Sequence, residues 1–210
     1  MDRLYKPGTF ELYYGPMKSG KTKVLMDKAE KLSYANNIPY VIIRPSIDTR
    51  DGDLTSRSSD KAIPSIYIPE DKPYDILRHA GSNIKVVLID ELQFFGEGIE
   101  KVVEALQKED FHVIGAGLNL NYGGEPIGRM PYLLSLATEP HALTAVCDYP
   151  KCDALATRTQ LLKNGEPAEY TKGLDIIVDG IQDSLEYQAR CLHHLNVAIK
   201  DDKESKFVLP

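Results

Sequence analysis

The chain has 210 residues, a net charge of −6 and a pI of about 5.4. Its length fits one domain or one domain with a small annex, and its 42% hydrophobic content is enough to build a core. The acidic balance argues against a general nucleic-acid-binding protein. No apolar stretch approaches the length of a transmembrane helix, and the N-terminus lacks a signal-peptide pattern, so we expect a cytoplasmic protein with no nucleic-acid or membrane partner.

Short apolar stretches alternate with amphipathic ones through the first two thirds of the chain. The predicted strands are, in chain order, Leu12–Tyr14 (within the strand-like stretch 10–14), Tyr40–Ile43, Ser65–Ile68, Val86–Ile89 and Val113–Ala116. The predicted helices are Lys21–Ala35, Tyr74–Ala80, Gly98–Lys108 and Pro131–Ala137. This alternation predicts an α/β fold with a mostly parallel sheet and helices on both faces, in which ligands bind beyond the carboxyl ends of the strands.

A phosphate-binding motif joins the first strand to the first helix. The segment Gly15-Pro16-Met17-Lys18-Ser19-Gly20-Lys21-Thr22 matches the pattern G-x-x-x-x-G-K-[ST]. Its glycines let backbone N–H groups surround the phosphates of a nucleoside triphosphate, and the helix N-terminus adds partial positive charge. Lys21 can then reach the terminal phosphates, and the Thr22 hydroxyl can ligate Mg²⁺. The alternative, a glycine-containing turn with no ligand, is disfavoured by the strand before the motif and the helix after it.

Two carboxylates follow the apolar run Val86–Ile89. A strand of this kind brings an aspartate beside the Mg²⁺ of a bound nucleotide, so Asp90 is a predicted metal ligand, directly or through water. Glu91 follows it and points elsewhere, where it can accept a proton from an attacking hydroxyl or water. The alternative is that the pair is a solvated strand end, and the upstream phosphate motif favours the catalytic interpretation.

The α/β pattern breaks near residue 140. From Leu143 the chain has short strand-like pieces, a turn at residues 164–167 and all three cysteines. We predict a nucleotide-binding domain at 1–140, a small second domain at 141–197 and a charged tail at 198–210. The core of the second domain is too thin to stand without further support.

Several further segments fit the pattern of one family. They are Asp48-Thr49-Arg50, Asp90-Glu91-Leu92-Gln93-Phe94-Phe95, Gly117–Tyr122 with Pro126 and Gly128, Leu143–Cys147 and Tyr187–Cys191. Together with the phosphate motif, and in the same order, they resemble the type II thymidine kinases, which are zinc-containing deoxynucleoside kinases. The resemblance implies a P-loop NTPase-type sheet followed by a small zinc-binding domain that carries a loop, the lasso. It also implies phosphoryl transfer from ATP to the 5′-hydroxyl of thymidine.

The resemblance also implies roles for single residues in ATP binding and catalysis. Lys21 and the motif from Gly15 to Thr22 would bind the triphosphate, with Thr22 and Asp90 on Mg²⁺ and Glu91 as general base. Further residues implied at the nucleotide and catalytic site are Asp48, which would order its segment, Arg50, which would approach the transferring phosphoryl group, Arg57 and Gln93. Arg57 lies in a flexible Ser/Asp-rich stretch, and a solvated loop charge is its alternative role.

The implied pyrimidine slot combines a methionine, two aromatic residues and two aliphatic ones. These residues are Met17, Phe94, Leu118, Tyr122 and Ile127, and core packing is their alternative role. Tyr122 would stack on the base. Tyr122 and Ile127 stand where the family usually has Phe, and Asn119 stands where it usually has Asp. The isoleucine reshapes the slot, so the departures bear on specificity more than on reaction type.

The lasso would add backbone contacts to the pyrimidine. It is predicted from Asn164 to about Asp183, with an apparent insertion at residues 181–186. The substrate-binding residues implied in and after it are Val178, Gly180 and Tyr187.

The cysteines form a predicted zinc site. Cys147 and Cys152 are separated by four residues, and Cys191 is followed at C-x-x-H spacing by His194. Three thiolates and an imidazole suit tetrahedral Zn²⁺, which would be structural because the protein fills all four positions. His194 is favoured over His193 because its spacing matches the final ligand of the family. The alternative is three buried free cysteines with two surface histidines.

Two other functions are compatible with this pattern. One is a related pyrimidine deoxynucleoside kinase of broader specificity, and the other is a non-catalytic nucleotide-dependent regulatory protein of the same fold. The joint presence of Lys21, Thr22, Asp90 and Glu91 argues against a regulatory protein. A zinc-ribbon nucleic-acid binder is disfavoured because few basic residues surround the cysteines. The resemblance further implies a homotetramer and feedback inhibition by thymidine triphosphate (dTTP).

Overall fold

The computed structural model describes residues 3–35, 38–47, 54–56, 59–170, 184–196 and 198–199. Its α-helices are α1 (Lys21–Tyr34), α2 (Ile99–Lys108) and α3 (Met130–Leu136). Its strands are β1 (Phe10–Tyr14), β2 (Tyr40–Pro45), β3 (Leu54–Ser56), β4 (Ser59–Ile63), β5 (Ile66–Ile68), β6 (Val86–Ile89), β7 (His112–Gly117), β8 (Glu139–Ala142), β9 (Ala145–Val146), β10 (Leu155–Ala156), β11 (Arg158–Lys163), β12 (Glu166–Pro167), β13 (Glu169–Tyr170), β14 (Leu185–Arg190) and β15 (Ala198–Ile199). Short 3₁₀ helices lie at Pro73–Arg78, Leu92–Phe94 and Leu192–His194.

A parallel sheet organises the first two thirds of the chain. Its strand order is β5-β2-β6-β7-β1-β8, and each of these pairings is parallel. The carboxyl ends of these strands therefore meet at one edge of the sheet, where the phosphate motif follows β1. The predicted α/β class is confirmed.

Helices cover both faces of this sheet because its central strands are apolar on both sides. All four residues of β6 are fully buried. On one face, α1 buries Leu25, Ala29 and Leu32, spaced by three and four residues, against a cluster that includes Leu88. On the other face, α2 and α3 bury their apolar residues in a cluster that includes Ile89. Within the described part of the chain, no helix is both long and apolar enough to cross a membrane.

The predicted strands and helices of this region are present, with ends shifted by at most two residues. The predicted helix at 74–80 is a 3₁₀ helix, Pro73–Arg78. Two features differ from the prediction. The strands β3 and β4, which flank residues 57–58, pair antiparallel and were not predicted. The edge strand β8 was not predicted either, because its sequence Glu139-Pro140-His141-Ala142 is polar and contains a proline. Its place at the edge of the sheet is one where proline is tolerated.

The part of the chain that follows β8, predicted as a second domain and called so below, consists of small sheets. They are antiparallel except for the parallel pair of β13 with β15. The longest pair is β11 with β14, in which Thr159 lies opposite Ala189. Its core near the cysteines contains only small side chains, namely Ala145, Cys147, Ala156, Ala189 and Cys191. The large sheet continues to Ala142, so β8 crosses the predicted boundary at residue 140. The thin core agrees with the need for further support that the sequence predicts.

A buried carboxylate connects three parts of the first domain. Glu11 of β1 is fully buried, and its Oε1 lies 3.0 Å from Lys6 Nζ and 3.2 Å from His112 Nε2. Its Oε2 accepts hydrogen bonds from Lys28 Nζ at 2.7 Å and from the Tyr13 hydroxyl at 2.9 Å. The N-terminal segment, the sheet and α1 therefore meet at one negative charge.

The partners of Glu11 decide its protonation. Burial alone would raise the pKa of Glu11, since a charge is costly away from water. Hydrogen bonds from His112, Lys28 and Lys6 outweigh burial and hold the pKa well below its ordinary value of 4.5. A carboxylate with a lowered pKa stabilises the folded state fully above its unfolded pKa, and that stabilisation is lost as the pH falls.

We therefore expect Glu11→Gln to lower the free energy of unfolding by about 3 kcal/mol at neutral pH, because it removes the buried charge that pairs with the partly exposed Lys6 and Lys28. The difference from the unsubstituted chain should narrow as the pH falls below about 4.5. Urea unfolding at several pH values measures both effects. The control is Glu104→Gln, whose side chain is 38% exposed and lies 3.4 Å from Lys101. Equal stability of the two variants would contradict the proposed importance of the Glu11 network.

Candidate active site

The phosphate motif forms a closed loop between β1 and α1. The Lys21 ammonium donates to the carbonyl oxygens of Pro16 at 2.6 Å and Gly15 at 3.2 Å, and Ser19 Oγ donates to the Pro16 oxygen at 2.8 Å. Lys21 is only 8% exposed. Its positive charge thus lies inside the loop, at the helix N-terminus where anions bind.

The next contact joins this loop to the end of β6. Thr22 Oγ1 donates to Asp90 Oδ2 at 3.0 Å, and the other Asp90 oxygen accepts the Glu91 N–H at 3.0 Å. Burial, and then the neighbouring charge of Glu91, raise the pKa of Asp90 to about 7. Mg²⁺ prefers oxygen ligands, and the Thr22 hydroxyl and Asp90 carboxylate offer two of them beside the phosphate loop. A bound cation would favour the ionised form of Asp90.

Glu91 is held by a neighbouring amide. It begins the turn after β6 with a left-handed φ of 51° and is 9% exposed. Gln93 Nε2 donates to Glu91 Oε2 at 2.5 Å, and Gln93 Oε1 accepts the Leu118 N–H at 3.0 Å. The structure thus places the Gln93 amide on Glu91 and on the Leu118 backbone, which suits a residue that orients the carboxylate.

One buried cation near this site is not among the residues singled out from the sequence. Arg44 lies near the carboxyl end of β2, is 3% exposed and donates to the Tyr67 hydroxyl at 2.9 Å. Its charge acts to lower the pKa of Asp90, against the larger effects of burial and Glu91. The signal was available in the sequence, since Arg44 is the only charged residue in the otherwise apolar stretch Tyr40–Pro45.

Five predicted site residues lie outside the described part of the chain. They are Asp48, Arg50, Arg57, Val178 and Gly180. Their roles therefore stay predictions from the family resemblance.

The predicted base-slot residues fall into two groups. Met17, Phe94 and Leu118 are partly buried around the loop and the turn after β6. Tyr122 is 4% exposed and Ile127 is 1% exposed. Ile127 packs in the large core of the first domain, so for this residue the structure agrees with core packing, and its contact with a base stays a prediction.

Tyr122 extends from the first domain into a cluster of the second. Its ring meets that of Tyr170 edge to face, with centroids 5.3 Å apart. Leu161 and Tyr187 belong to the same cluster, so the structure brings the predicted residues Tyr122 and Tyr187 to one place. Tyr170 was not predicted, and it is linked to the preceding segment because Asn121 Nδ2 donates to its hydroxyl at 3.0 Å.

The second domain also contacts the phosphate loop directly. Thr159 Oγ1 accepts the Met17 N–H at 3.1 Å, and Asp148 Oδ2 lies 2.7 Å from Lys18 Nζ. Gly15 lies so close to Leu143 that an added Cβ would stand 2.3 Å from the Leu143 carbonyl oxygen, which only glycine permits. Neither Thr159 nor Asp148 was predicted, since each contacts the loop across more than 100 residues of sequence.

The predicted metal ligands converge in the second domain. The ligand atoms of Cys147, Cys152, Cys191 and His194 all lie within 4.8 Å of one another, and this group does not include His193. His194 Nδ1 is 3.3 Å from Cys191 Sγ and 3.7 Å from Cys147 Sγ. In a tetrahedral zinc site with ordinary bond lengths, sulfur and nitrogen ligands lie about 3.5 Å apart. The donor set and its spacing therefore fit a structural zinc ion.

The surroundings of this cluster favour metal binding. Burial opposes ionisation of the Cys147 thiol, but hydrogen bonds that include the Cys191 and Tyr149 N–H groups lower its pKa to about 6. A thiolate is the form that binds metal. The Tyr149 ring stacks on His194 with centroids 4.0 Å apart and thereby orients the imidazole.

Sequence comparison with known proteins identifies the family of this chain. A family model described as thymidine kinase matches residues 8–195. The chain is 39% identical over 195 residues to a thymidine kinase of Coprothermobacter proteolyticus, covering 92% of this chain and 94% of that protein. It is 36% identical to a thymidine kinase of Ureaplasma urealyticum serovar 10, covering 91% and 84% respectively. Since these matches span both the phosphate loop and the cysteine cluster, the chain belongs to the thymidine kinase family.

Proposed function

We propose that this chain carries out the reaction of its family, which is transfer of the terminal phosphoryl group of ATP to the 5′-hydroxyl of thymidine. The products are ADP and thymidine monophosphate. The arrangement of Thr22, Asp90 and Glu91 beside the phosphate loop carries this proposal. It combines oxygen ligands for a cation with a carboxylate that can accept a proton, both at the carboxyl edge of a parallel sheet.

ATP binds at the phosphate loop in this proposal. The loop amides and Lys21 hold the triphosphate, and Thr22 and Asp90 hold Mg²⁺. The bound Mg²⁺ supplies positive charge to the phosphate oxygens. By family resemblance alone, Arg50 contacts the transferring phosphoryl group, Asp48 orders its own segment and Arg57 touches phosphate.

Glu91 is the proposed general base. As the 5′-oxygen bonds to phosphorus, Glu91 takes the hydroxyl proton, and the bond from phosphorus to the departing ADP oxygen breaks with its electron pair. A carboxylate suits this role because the hydroxyl becomes acidic only as the new bond forms. Gln93, which is hydrogen-bonded to Glu91, keeps the carboxylate in position.

Thymidine binds between the loop and the second domain in this proposal. The residues proposed to line its site are Met17, Phe94, Leu118, Tyr122, Ile127, Val178, Gly180 and Tyr187. Tyr122 stacks on the pyrimidine. The support is the position of Tyr122 beside Tyr187 and Tyr170. The segment that carries Tyr122 starts at Leu118, whose N–H donates to Gln93, the hydrogen-bond partner of Glu91.

The family resemblance also supports proposals for the metal, the oligomeric state and the cellular location. Zn²⁺ on Cys147, Cys152, Cys191 and His194 stabilises the second domain, whose core holds only small side chains around the cysteines. We also propose a cytoplasmic homotetramer that is inhibited by dTTP at the active site. Size-exclusion chromatography with light scattering tests the assembly, and steady-state inhibition tests dTTP.

Transfer of labelled phosphate from ATP to a panel of nucleosides tests the function itself. We expect thymidine to have the highest kcat/KM, with deoxyuridine below it and deoxycytidine and purine nucleosides near background. Comparable transfer to several pyrimidine deoxynucleosides would favour the broader kinase. Nucleotide binding without transfer to any nucleoside would favour the regulatory protein.

The base assignment predicts that Glu91→Gln lowers kcat by about 10²–10⁴ while ATP and thymidine binding persist, because the variant keeps the shape and loses the proton acceptor. Steady-state kinetics and equilibrium binding measure the two effects. The control is Glu97→Gln, the same change at an exposed residue six positions later, which should leave kcat unchanged. Near-normal turnover of the Glu91 variant would exclude the role.

The metal assignment predicts one Zn²⁺ per chain by elemental analysis of protein purified without chelators. His194→Ala should lose most of this zinc and lower the melting temperature, because metal binding contributes folding free energy to so small a domain. His193→Ala is the matched control and should retain the metal, since His193 lies outside the cluster. The assignment fails if both variants hold equal amounts of zinc, or if the unsubstituted chain contains none and its three thiols titrate freely.

The base slot predicts that Tyr122→Ala raises the thymidine KM by about 5- to 150-fold, since a stacked aromatic ring contributes about 1–3 kcal/mol to binding a base. The ATP KM should change little. Tyr132→Ala, at an exposed tyrosine of α3 that packs on Arg129, is the control for loss of a ring. Equal rises in both KM values would mean that Tyr122 supports the fold and does not contact thymidine.

A further inference from the structure

The phosphate loop and the cysteine cluster are joined by one ion pair. Lys18 belongs to the loop and has a left-handed φ of 63°. Its Nζ lies 2.7 Å from Oδ2 of Asp148, the residue that follows Cys147. The Lys18 side chain is 35% exposed and that of Asp148 is 28% exposed, so the pair is partly shielded from water.

Asp148 is held in place by the strand that leads to the other buried cysteine. Its Oδ2 also accepts the Ala189 N–H at 2.7 Å, and its own N–H donates to the Ala189 carbonyl at 2.8 Å. Ala189 precedes Cys191 by two residues. The carboxylate that meets Lys18 is therefore positioned by the same two chain segments that supply two of the metal ligands.

The neighbouring loop residue is held by the same unit. Met17 donates its N–H to Thr159 Oγ1 at 3.1 Å, and Thr159 lies directly opposite Ala189 in the pairing of β11 with β14. Two successive loop residues thus bind to groups that surround Ala189. Any shift of Ala189 relative to Cys147 would move both of these contacts.

We infer that the Lys18–Asp148 pair couples the cysteine cluster to nucleotide binding, with Asp148 as a positioning residue for the phosphate loop. Metal at the cluster fixes Asp148 against Ala189, and Asp148 fixes Lys18 in the loop. By linkage, a bound nucleotide then strengthens metal binding by the same factor as the metal strengthens nucleotide binding. This inference rests on the proposed function, since it takes ATP to the loop and zinc to the cluster.

The coupling is measured as a ratio of zinc dissociation constants. Competition with a zinc chelator of known affinity gives the constant for the full chain, with and without saturating Mg²⁺ and a non-hydrolysable ATP analogue. We expect the analogue to tighten zinc binding about two- to fivefold, the upper part of the range for one partly exposed ion pair. In Asp148→Asn and in Lys18→Met this ratio should fall toward one, with any remainder carried by the contact of Met17 with Thr159. Asn keeps an oxygen for the Ala189 N–H and loses the charge, and Met keeps the length of lysine.

Kinetics separate positioning from a general loss of stability. Each single variant should raise the ATP KM about two- to fivefold, with the thymidine KM and the melting temperature unchanged. The double variant should raise the ATP KM by no more than either single variant, because the pair acts as one unit. The matched control is Asp153→Asn, which removes the same charge one residue after Cys152 from an exposed side chain and should behave like the unsubstituted chain.

The outcomes distinguish this inference from the proposed function. A chain that phosphorylates thymidine and holds zinc, but binds zinc equally with and without the analogue, overturns the coupling and leaves the function standing. Variants that retain the ratio of the unsubstituted chain, or an equal loss in Asp153→Asn, also overturn it. A chain without thymidine kinase activity overturns both.

Discussion

The hydrogen bond between Thr22 and Asp90 is the contact on which the site depends. It joins the start of α1 to the end of β6, although β7 lies between β6 and β1 in the sheet. The bond is possible only because parallel strands bring their carboxyl ends to one edge and because β6 is buried on both faces. Every other feature of the site, from the loop lysine to the Glu91 turn, is placed relative to this connection.

A chain of polar contacts extends from this point toward the second domain. Glu91 is bonded to Gln93, and Gln93 to the Leu118 backbone at the start of the segment that carries Tyr122. The proposed proton acceptor and the proposed base slot thus share a support. On the other side of the loop, Met17 and Lys18 are bound by Thr159 and Asp148. The loop is therefore held between elements of both domains.

Prediction from the sequence succeeded where the residues of one short segment were enough to identify a structural element or a ligand group. Val86–Ile89 was located to the residue because an unbroken apolar run has few alternatives, and the cysteine and histidine spacing identified the group that converges in space. The edge strand at 139–142 was missed because its composition is polar. The partners of Gln93, Lys18 and Glu11 could not be predicted, since they depend on side-chain directions and on contacts between distant segments.

The backbone of Glu91 shows how the demands of chemistry and folding differ at one position. The φ of Glu91 is 51°, in the left-handed region that glycine and asparagine adopt readily. For other residues this conformation costs roughly 1 kcal/mol or more. Selection for stability alone would therefore replace this glutamate. With Glu91 as the proposed general base, the chain has a less stable turn here for the sake of turnover. Under the proposed base role, substitutions at position 91 that relax the turn after β6 would raise stability and lower turnover, so a search for thermostable variants should leave this position unchanged.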